Sequence, residues 1–276
     1  MKKLVTIILA GALLLFLVAG CGNNTVTGSD PKTGTKTEEI TIAGSTSVQP
    51  ISEAINEAFK EKNPNIKVYV QGGGSSAGIK AAQEGTANIG SSSRELKKEE
   101  AGLTETVICK DGIAITVNTK NAVNDLSIEQ IKKIYGGEIT NWKEVGGADQ
   151  KINVVTREVG SGTRTAFEEL VMGKQAISDK SIVQNATGSV RTAVAGDPNA
   201  IGYISLASIN ETVKAVTVEG VKVSTDNIIN GTYKIQRPFL YLTKGAPTGA
   251  SKTFIDFVMS TEGQSIIKQE GLVSVK

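Results

Sequence analysis

One pattern repeats along this chain and restricts its fold more than any other. A short apolar run is followed by a turn of Gly, Ser and Thr, and then by residues with helical apolar spacing. Ile40–Ala43 precedes Gly44-Ser45-Thr46-Ser47 and a helix over Val48–Lys62, in which Ile51, Ala54, Ile55, Ala58 and Phe59 share one face. Ile66–Val70 precedes Gly72–Gly78 and a helix over Ser76–Glu84. Ala87–Gly90 leads through Gly90-Ser91-Ser92-Ser93-Arg94 to a short polar helix over Glu95–Glu100. Ile152–Thr156 leads through Arg157-Glu158-Val159-Gly160-Ser161-Gly162-Thr163 to a helix over Thr165–Met172. Strands alternating with helices build a mainly parallel α/β sheet covered on both faces. In such a sheet these turns collect at the carboxyl ends of the strands, where ligands bind.

The turns have a common chemistry. Each aims unpaired backbone N–H groups and hydroxyls at one place and adds little charge. Arg157 alone brings a planar fork suited to a tetrahedral oxyanion. Any single turn is explained by helix capping, because Ser and Thr are good N-caps and Gly is a common turn residue. Four turns with Arg157 among them point to an anion clamp. Two better-known motifs fail here. Gly73–Gly78 is followed by Ile79-Lys80 where a phosphate-binding P-loop needs Lys-Ser/Thr. Gly160-Ser161-Gly162 lacks the spacing of a nucleophile elbow.

A second module begins near Asn118. Thr104–Cys109 and Ile113–Asn118 read as two strands before it, and Ser127–Tyr135 as its first helix. Gly136–Val145 is a loop holding the only Trp, Val190–Ala195 a short helix, and Gly202–Ser205 and Ala215–Val218 are strands. Tyr233–Leu242 is extended, and Ser251–Met259 and Thr261–Gln269 close the chain as helices. Crossings near Val117–Lys120 and Tyr233–Thr243 suit a bilobal protein: residues 40–117 with 240–276 as the first lobe, 118–239 as the second.

The ends and the bulk composition narrow the function. Met1-Lys2-Lys3, the apolar run Leu4–Leu17 and Val18-Ala19-Gly20 have the order of a secretory signal over residues 1–20. Cys21 directly after Val-Ala-Gly resembles a lipobox cysteine, which holds a protein to a membrane through lipid rather than a spanning helix. Residues 21–39 then read as a polar tether. Without Lys2 and Lys3 the 30 basic residues fall to 28, against 28 acidic ones. No basic, aromatic-laced segment suggests nucleic acid. With Cys21 acylated, Cys109 has no partner for a disulfide, and it reads as a small buried apolar residue. The chain has no histidine, which removes the usual Ser-His and Cys-His nucleophiles and most zinc sites.

Six segments together make the chain similar to the phosphate-binding subunit of the bacterial phosphate-specific ABC transporter, the PstS family. They are Gly44-Ser-Thr-Ser-Val-Gln-Pro50, Gly74-Ser-Ser-Ala-Gly78, Ile89-Gly-Ser-Ser-Ser-Arg94, Asn141-Trp142, Arg157-x-x-Gly-Ser-Gly-Thr163 and Ala200-Ile-Gly-Tyr203. The resemblance runs from Ile40 to the end. It implies a two-lobed periplasmic-binding-protein fold of type II, with no cofactor, no metal and no catalysis. It also implies a monomer, lipid-anchored on the extracytoplasmic face of the cell membrane, that hands inorganic phosphate to permease subunits and their ATPase. By matching position, Thr46, Ser47 and Ser75 would donate from the first lobe. Arg157, Ser161, Gly162 and Thr163 would clamp from the second, with Arg157 the only strong positive charge.

Two departures from the resemblance matter. Ser93 falls where some members place an aspartate that accepts a phosphate proton. A hydroxyl accepts or donates, so it binds phosphate without penalising sulfate as strongly. Selectivity over sulfate is expected to persist with less dependence on a carboxylate. Val159 falls where some relatives carry an aspartate beside the arginine; Glu158 is read as facing outward and Arg94 as a solvated rim residue. The alternatives are a receptor for sulfate, molybdate or tungstate, an enzyme acting on phosphate esters, and an adhesin or sensor on the same fold.

Overall fold

The computed structural model describes residues 37–276. The signal expected over residues 1–20, Cys21 and most of the tether lie outside these residues; the tether's last part does not, because the first strand begins at Glu38.

The amino-terminal half follows the repeated pattern closely. Strand β1 (Glu38–Gly44) leads to α1 (Gln49–Lys62), whose Ile51, Ile55 and Phe59 are buried and whose first turn holds Pro50. Asn63-Pro64 ends α1, since a residue before proline is pushed out of the helical region. Strand β2 (Ile66–Gly72), helix α2 (Ser75–Glu84) and strand β3 (Ile89–Ser92) follow, with α2 closed by Gly85 at a left-handed φ of 75°. The turn after β3 does not open an α-helix. Only a single 3₁₀ turn, Lys98–Glu100, forms there, because Ser92 and Ser93 are drawn into buried hydrogen bonds instead.

Strand β4 is the largest departure from the sequence reading. It runs unbroken from Thr104 to Asn118, where two strands were expected on either side of Lys110-Asp111-Gly112. The polar triplet looks like a turn, but Asp111 is fully buried in an ion pair with Arg237 and so stays within the strand. Strand β5 (Asp125–Leu126) and helix α3 (Ile128–Gly136) follow, α3 opened by a capping box between Ser127 and Gln130. Strand β6 (Asn153–Arg157) leads to α4 (Gly162–Phe167), which loosens into a π turn over Glu168–Met172. Strand β7 (Ile182–Gln184), helix α5 (Thr187–Gly196) and strand β8 (Ala200–Ser205) come next. The stretch read as Ala215–Val218 is two short strands, β9 (Val213–Ala215) and β10 (Thr217–Val218). The chain ends with α6 (Thr225–Ile229), β11 (Gln236–Thr243), α7 (Gly249–Val258), α8 (Thr261–Gln269) and β12 (Val273–Ser274).

The strands join in the order β2-β1-β3-β11-β4-β8-β6-β7. Both outer groups are parallel, as βα alternation requires, while β11 and β4 run antiparallel to their neighbours. Strand β4 changes partner along its length. Thr104–Gly112 pairs with β11, and Ile113–Val117 pairs with β8. Two apolar cores lie on either side of that change. One gathers Ile42, Phe59, Phe239 and Phe254 with Ile267, so the C-terminal helices pack on the amino-terminal lobe. The other gathers Ile115, Ile131, Trp142, Phe167, Val190 and Tyr203. Phe59 meets Phe254 and Phe257 edge-on at 5.0 and 5.5 Å, while Phe167 and Tyr203 stack at 4.2 Å. Such pairs contribute about 0.5–1.5 kcal/mol beyond their buried area. Trp142 is buried with its indole N–H donating to the Asn199 carbonyl at 2.9 Å, so the loop holding it is anchored rather than free. This is a two-lobed α/β fold whose strand ends and turns face each other across the lobes.

Candidate functional site

The glycine-rich turns sit where strand geometry sends them, at the carboxyl ends of β1, β2, β3 and β6. Gly44 has φ 141°, and a Cβ there would collide with the Ser91 carbonyl. The turn after β1 therefore lies flat against β3. Gly78 is equally constrained, since a Cβ on it would strike the backbone of Ala43, Gly44 and Ser91. These close approaches bring Ser45, Ser75 and Ser93 together. The Ser45 hydroxyl donates to Ser93 Oγ at 2.9 Å, Ser93 N–H donates to Ser75 Oγ at 3.1 Å, and Ser45 Oγ accepts from Ser47 N–H at 3.2 Å.

The second lobe answers with β6 and α4. Ser161 is the N-cap of α4, its Oγ accepting from Arg164 N–H at 3.2 Å, so the capping reading and the site reading meet in one residue. Tyr203 fixes the end of β6. Its hydroxyl shares a 2.7 Å hydrogen bond with Thr156 and accepts from Arg157 N–H at 3.2 Å. Burial pushes the Tyr203 phenol up to about 12, so it stays protonated and holds the backbone of the clamp in place.

The two lobes touch through these groups. Ser47 Oγ lies 2.9 Å from Thr163 Oγ1 and 2.7 Å from Thr187 Oγ1. Thr187 N–H donates to Thr46 Oγ1 at 3.2 Å, and Ser76 N–H donates to the Gly160 carbonyl at 3.1 Å. Gly162 faces Ser75 and Ser93 so closely that a Cβ would overlap Ser75 Oγ and lie 2.7 Å from Ser93 Oγ. Ser47, Ser75, Ser93, Arg157, Ser161, Gly162 and Thr163 are all buried, and Thr46 is half-buried. The eight residues expected to hold the anion, Thr46, Ser47, Ser75, Ser93, Arg157, Ser161, Gly162 and Thr163, lie in or beside this one cluster.

Arg157 is 1% exposed and carries the cluster's charge. Its Nε and Nη2 each donate to a Glu158 oxygen at 2.8 Å, and Nη1 donates to Thr187 Oγ1 at 3.1 Å. Glu158 therefore turns inward as the arginine's partner, against the outward orientation read from sequence. Val159 is 87% exposed and takes no part. The fork geometry explains the difference: a bidentate pair with the adjacent carboxylate satisfies two N–H vectors that burial would otherwise strand.

Arg94 also departs from its reading. It is 1% exposed, not solvated, and its two Nη atoms donate to Glu100 at 2.6 and 2.7 Å and to Ser76 Oγ at 3.2 Å. Arg94 braces the turn that carries Ser75 and Ser76. Its hydrogen bonds hold the Glu100 carboxyl below the usual carboxylate range, against the upward push of burial. A depressed folded-state value gives stability that is complete above the unfolded pKa and is lost as pH falls through the folded one. Glu100→Gln should therefore melt below the parent near neutral pH. The gap should close as pH falls through about 4 and below. Thermal melts across that range check it, and a gap that persists unchanged into acid contradicts it.

Thr187, Ser45 and Arg237 were missed from the sequence. Thr187 carried the available signal, because Thr187-Gly188-Ser189 follows an extended segment and opens α5, the same grammar as the other turns. Placing the helix start at Val190 concealed it. Ser45 lay inside a quoted motif, whereas Arg237 had no local signal.

Buried neutral donors from facing strand ends, with a guanidinium held by its own carboxylate, define a two-lobed binding protein for a small oxyanion. Comparison with known proteins agrees. A family model described as a PBP superfamily domain matches residues 25–262. The phosphate-binding protein PstS of Bacillus subtilis (strain 168) is 34% identical, over 99% of this chain and 94% of its own. An ABC transporter substrate-binding protein from Clostridium perfringens, solved with bound phosphate, superposes with a TM-score of 0.84 at 48% identity. That match covers 87% of this chain and 100% of the other. An ABC-type phosphate transport receptor from Vibrio cholerae gives 0.71 at 41% identity, over 85% and 99%. The chain belongs to the PstS family of the PBP superfamily.

Proposed function

We propose that this chain is an extracytoplasmic receptor that closes on inorganic phosphate and delivers it to the permease and ATPase of an ABC importer. The observation that carries this reading is the meeting of Ser47, Ser75 and Ser93 from one lobe with Arg157, Thr163 and Thr187 from the other in a single buried cluster. Thr46, Ser161 and Gly162 complete the proposed ligand set, Ser161 through its hydroxyl, since its N–H donates to the Glu158 carbonyl, and Gly162 through its backbone N–H.

Closure is the working step. An anion bridging both lobes stabilises the closed form by its differential contacts, and a permease reads that form. Hydrogen bonds from buried hydroxyls and a guanidinium are strong in such a site because water no longer competes. The proposed lobes follow the pairing: residues up to Gly112 with those from Gln236 onward form one, and Ile113–Ile235 the other. The change of partner in β4 and the hydrogen bond from Ile113 N–H to the Ile235 carbonyl support these boundaries. Attachment to the membrane through lipid on Cys21 is part of the proposal and rests on the lipobox-like sequence. Family membership supports a role in binding rather than catalysis.

A second reading, a receptor for sulfate, molybdate or tungstate, is favoured by one observation. Ser93 Oγ accepts from Ser45 and lies 3.4 Å from Ser75 Oγ, a long contact that an anion can replace as acceptor of the Ser93 proton. Both Glu158 oxygens accept from Arg157, so the carboxylate nearest the cluster is already engaged with the guanidinium. Equilibrium dialysis of the full chain in detergent against labelled phosphate tests the main reading. Saturable uptake of one phosphate per chain, resistant to excess sulfate and molybdate, is expected. No uptake, or displacement by either competitor at equal concentration, overturns it.

A further inference from the structure

Where the two crossing strands meet, beneath the hydroxyl cluster, lies a second buried guanidinium. Arg237 at the start of β11 is 4% exposed and Asp111 in β4 is 0% exposed. Arg237 Nε and Nη2 both donate to Asp111 Oδ2, at 3.0 and 2.9 Å. The other carboxylate oxygen accepts from Ser205 Oγ at 2.8 Å and Leu206 N–H at 3.1 Å. Asp111 is thus fully committed to protein partners. Arg237 is not: Nη2 also reaches Ser47 Oγ at 3.3 Å, and Nη1 is buried with no hydrogen-bond partner among the described residues.

The Phe239 ring under the guanidinium, 5.3 Å from its carbon, and the Asp111 pair offset part of the cost of burial, but the idle Nη1 keeps a desolvation penalty that no hydrogen bond among the described residues offsets. Ion pairs at such depth are replaced by apolar residues without loss in many proteins, so stability alone does not account for this one. Its position does. Ser47 touches Arg237 on one side and Thr187 on the other, and Thr187 accepts from Arg157 Nη1. Two guanidiniums therefore stand on either side of one pair of hydroxyls, each with two N–H groups held by its own carboxylate.

We propose that Arg237 is a second cationic binding residue for the captured oxyanion, acting beside Ser47 from the crossing strand, with Asp111 as the counter-charge that tempers it. This rests on the phosphate reading. Arg157 then belongs to the second lobe, whereas Arg237 stands on β11 in the first, beside Ser47. The anion meets one charge on entry and gains the second on closure.

Variants at the pair separate this role from a structural one because the two predict different signs. The full chain in detergent is titrated with inorganic phosphate, and its ligand-free melting is recorded in parallel. The double variant Asp111→Asn with Arg237→Gln, which leaves no unpaired buried charge, should bind phosphate at least about tenfold more weakly. Asp111→Asn alone frees the Arg237 charge, so it should melt earlier without ligand yet bind phosphate more tightly than the parent. Arg237→Lys keeps the charge without the fork and should bind more tightly than the double variant, and it decides the matter if Asp111→Asn does not fold. Parental affinity in the double variant, or weakening in both the double and Asp111→Asn, overturns the proposal while leaving the phosphate reading intact. A parent that binds no phosphate overturns both.

Discussion

Arg157→Ala should weaken phosphate binding by about 3 kcal/mol, roughly 150-fold in Kd, the largest loss expected from a single side chain. Arg157 is buried, and its truncation removes the clamp's charge while leaving the Glu158 carboxylate without a partner beside the anion. Part of the loss is therefore repulsion rather than a missing hydrogen bond. Adding Glu158→Gln to the variant should recover some of it. Arg157→Lys should recover less than its charge suggests, because an ammonium cannot engage Glu158 and Thr187 through one planar fork. Calorimetric titration of the three variants checks the order, and near-parental affinity in Arg157→Ala contradicts the role.

Gly162→Ala should also weaken binding markedly, by a different route. The added methyl would overlap Ser75 Oγ and press on Ser93 Oγ, groups that belong to the facing lobe. Neither core loses a contact, and alanine suits the first turn of α4 better than glycine does. The variant should therefore melt like the parent without ligand, bind phosphate at least tenfold more weakly, and fail to compact. A tenfold loss corresponds to about 1.4 kcal/mol, less than the cost of forcing one methyl into a close-packed contact. Small-angle scattering with and without phosphate reads the closure directly. A variant that compacts and binds like the parent would show that close approach of the lobes at Gly162 is not required.

Much of this site was legible because its parts are local. A Gly/Ser/Thr turn after a strand announces itself by composition, and α/β geometry dictates which end of the sheet receives it. Arg157, Ser161 and Thr163 stand out that way, whereas Ser47, Ser75 and Ser93 lie in such turns but enter the set by their match to family positions. What stayed hidden depends on distant segments. Asp111 looks like a turn residue until Arg237, far along the chain, supplies its counter-charge inside the sheet. Without that partner a polar triplet reads as a break, and one long strand becomes two. Arg94 was placed in solvent for the same reason, since its burial depends on Glu100 folding back over it. Glu158 turns inward because the Arg157 guanidinium is buried beside it, and that burial is not visible in the local sequence.

The proposed lobe boundaries show the same limit. Asn118 ends β4 and begins a polar loop, so the pattern puts a crossing there. The hydrogen bonds change partner earlier, between Gly112 and Ile113, within an uninterrupted strand. Periodicity reports where an element stops and is silent about which neighbour it pairs with.

The phosphate assignment requires that buried hydroxyls and a guanidinium select phosphate with a serine, Ser93, where some relatives place an aspartate. Calorimetric titration of the full chain in detergent, stripped of bound ligand, with phosphate, then sulfate, then molybdate measures this directly. Tight one-to-one phosphate binding with sulfate and molybdate silent is the predicted result. Sulfate or molybdate binding as tightly as phosphate would keep the clamp and contradict its assignment to phosphate.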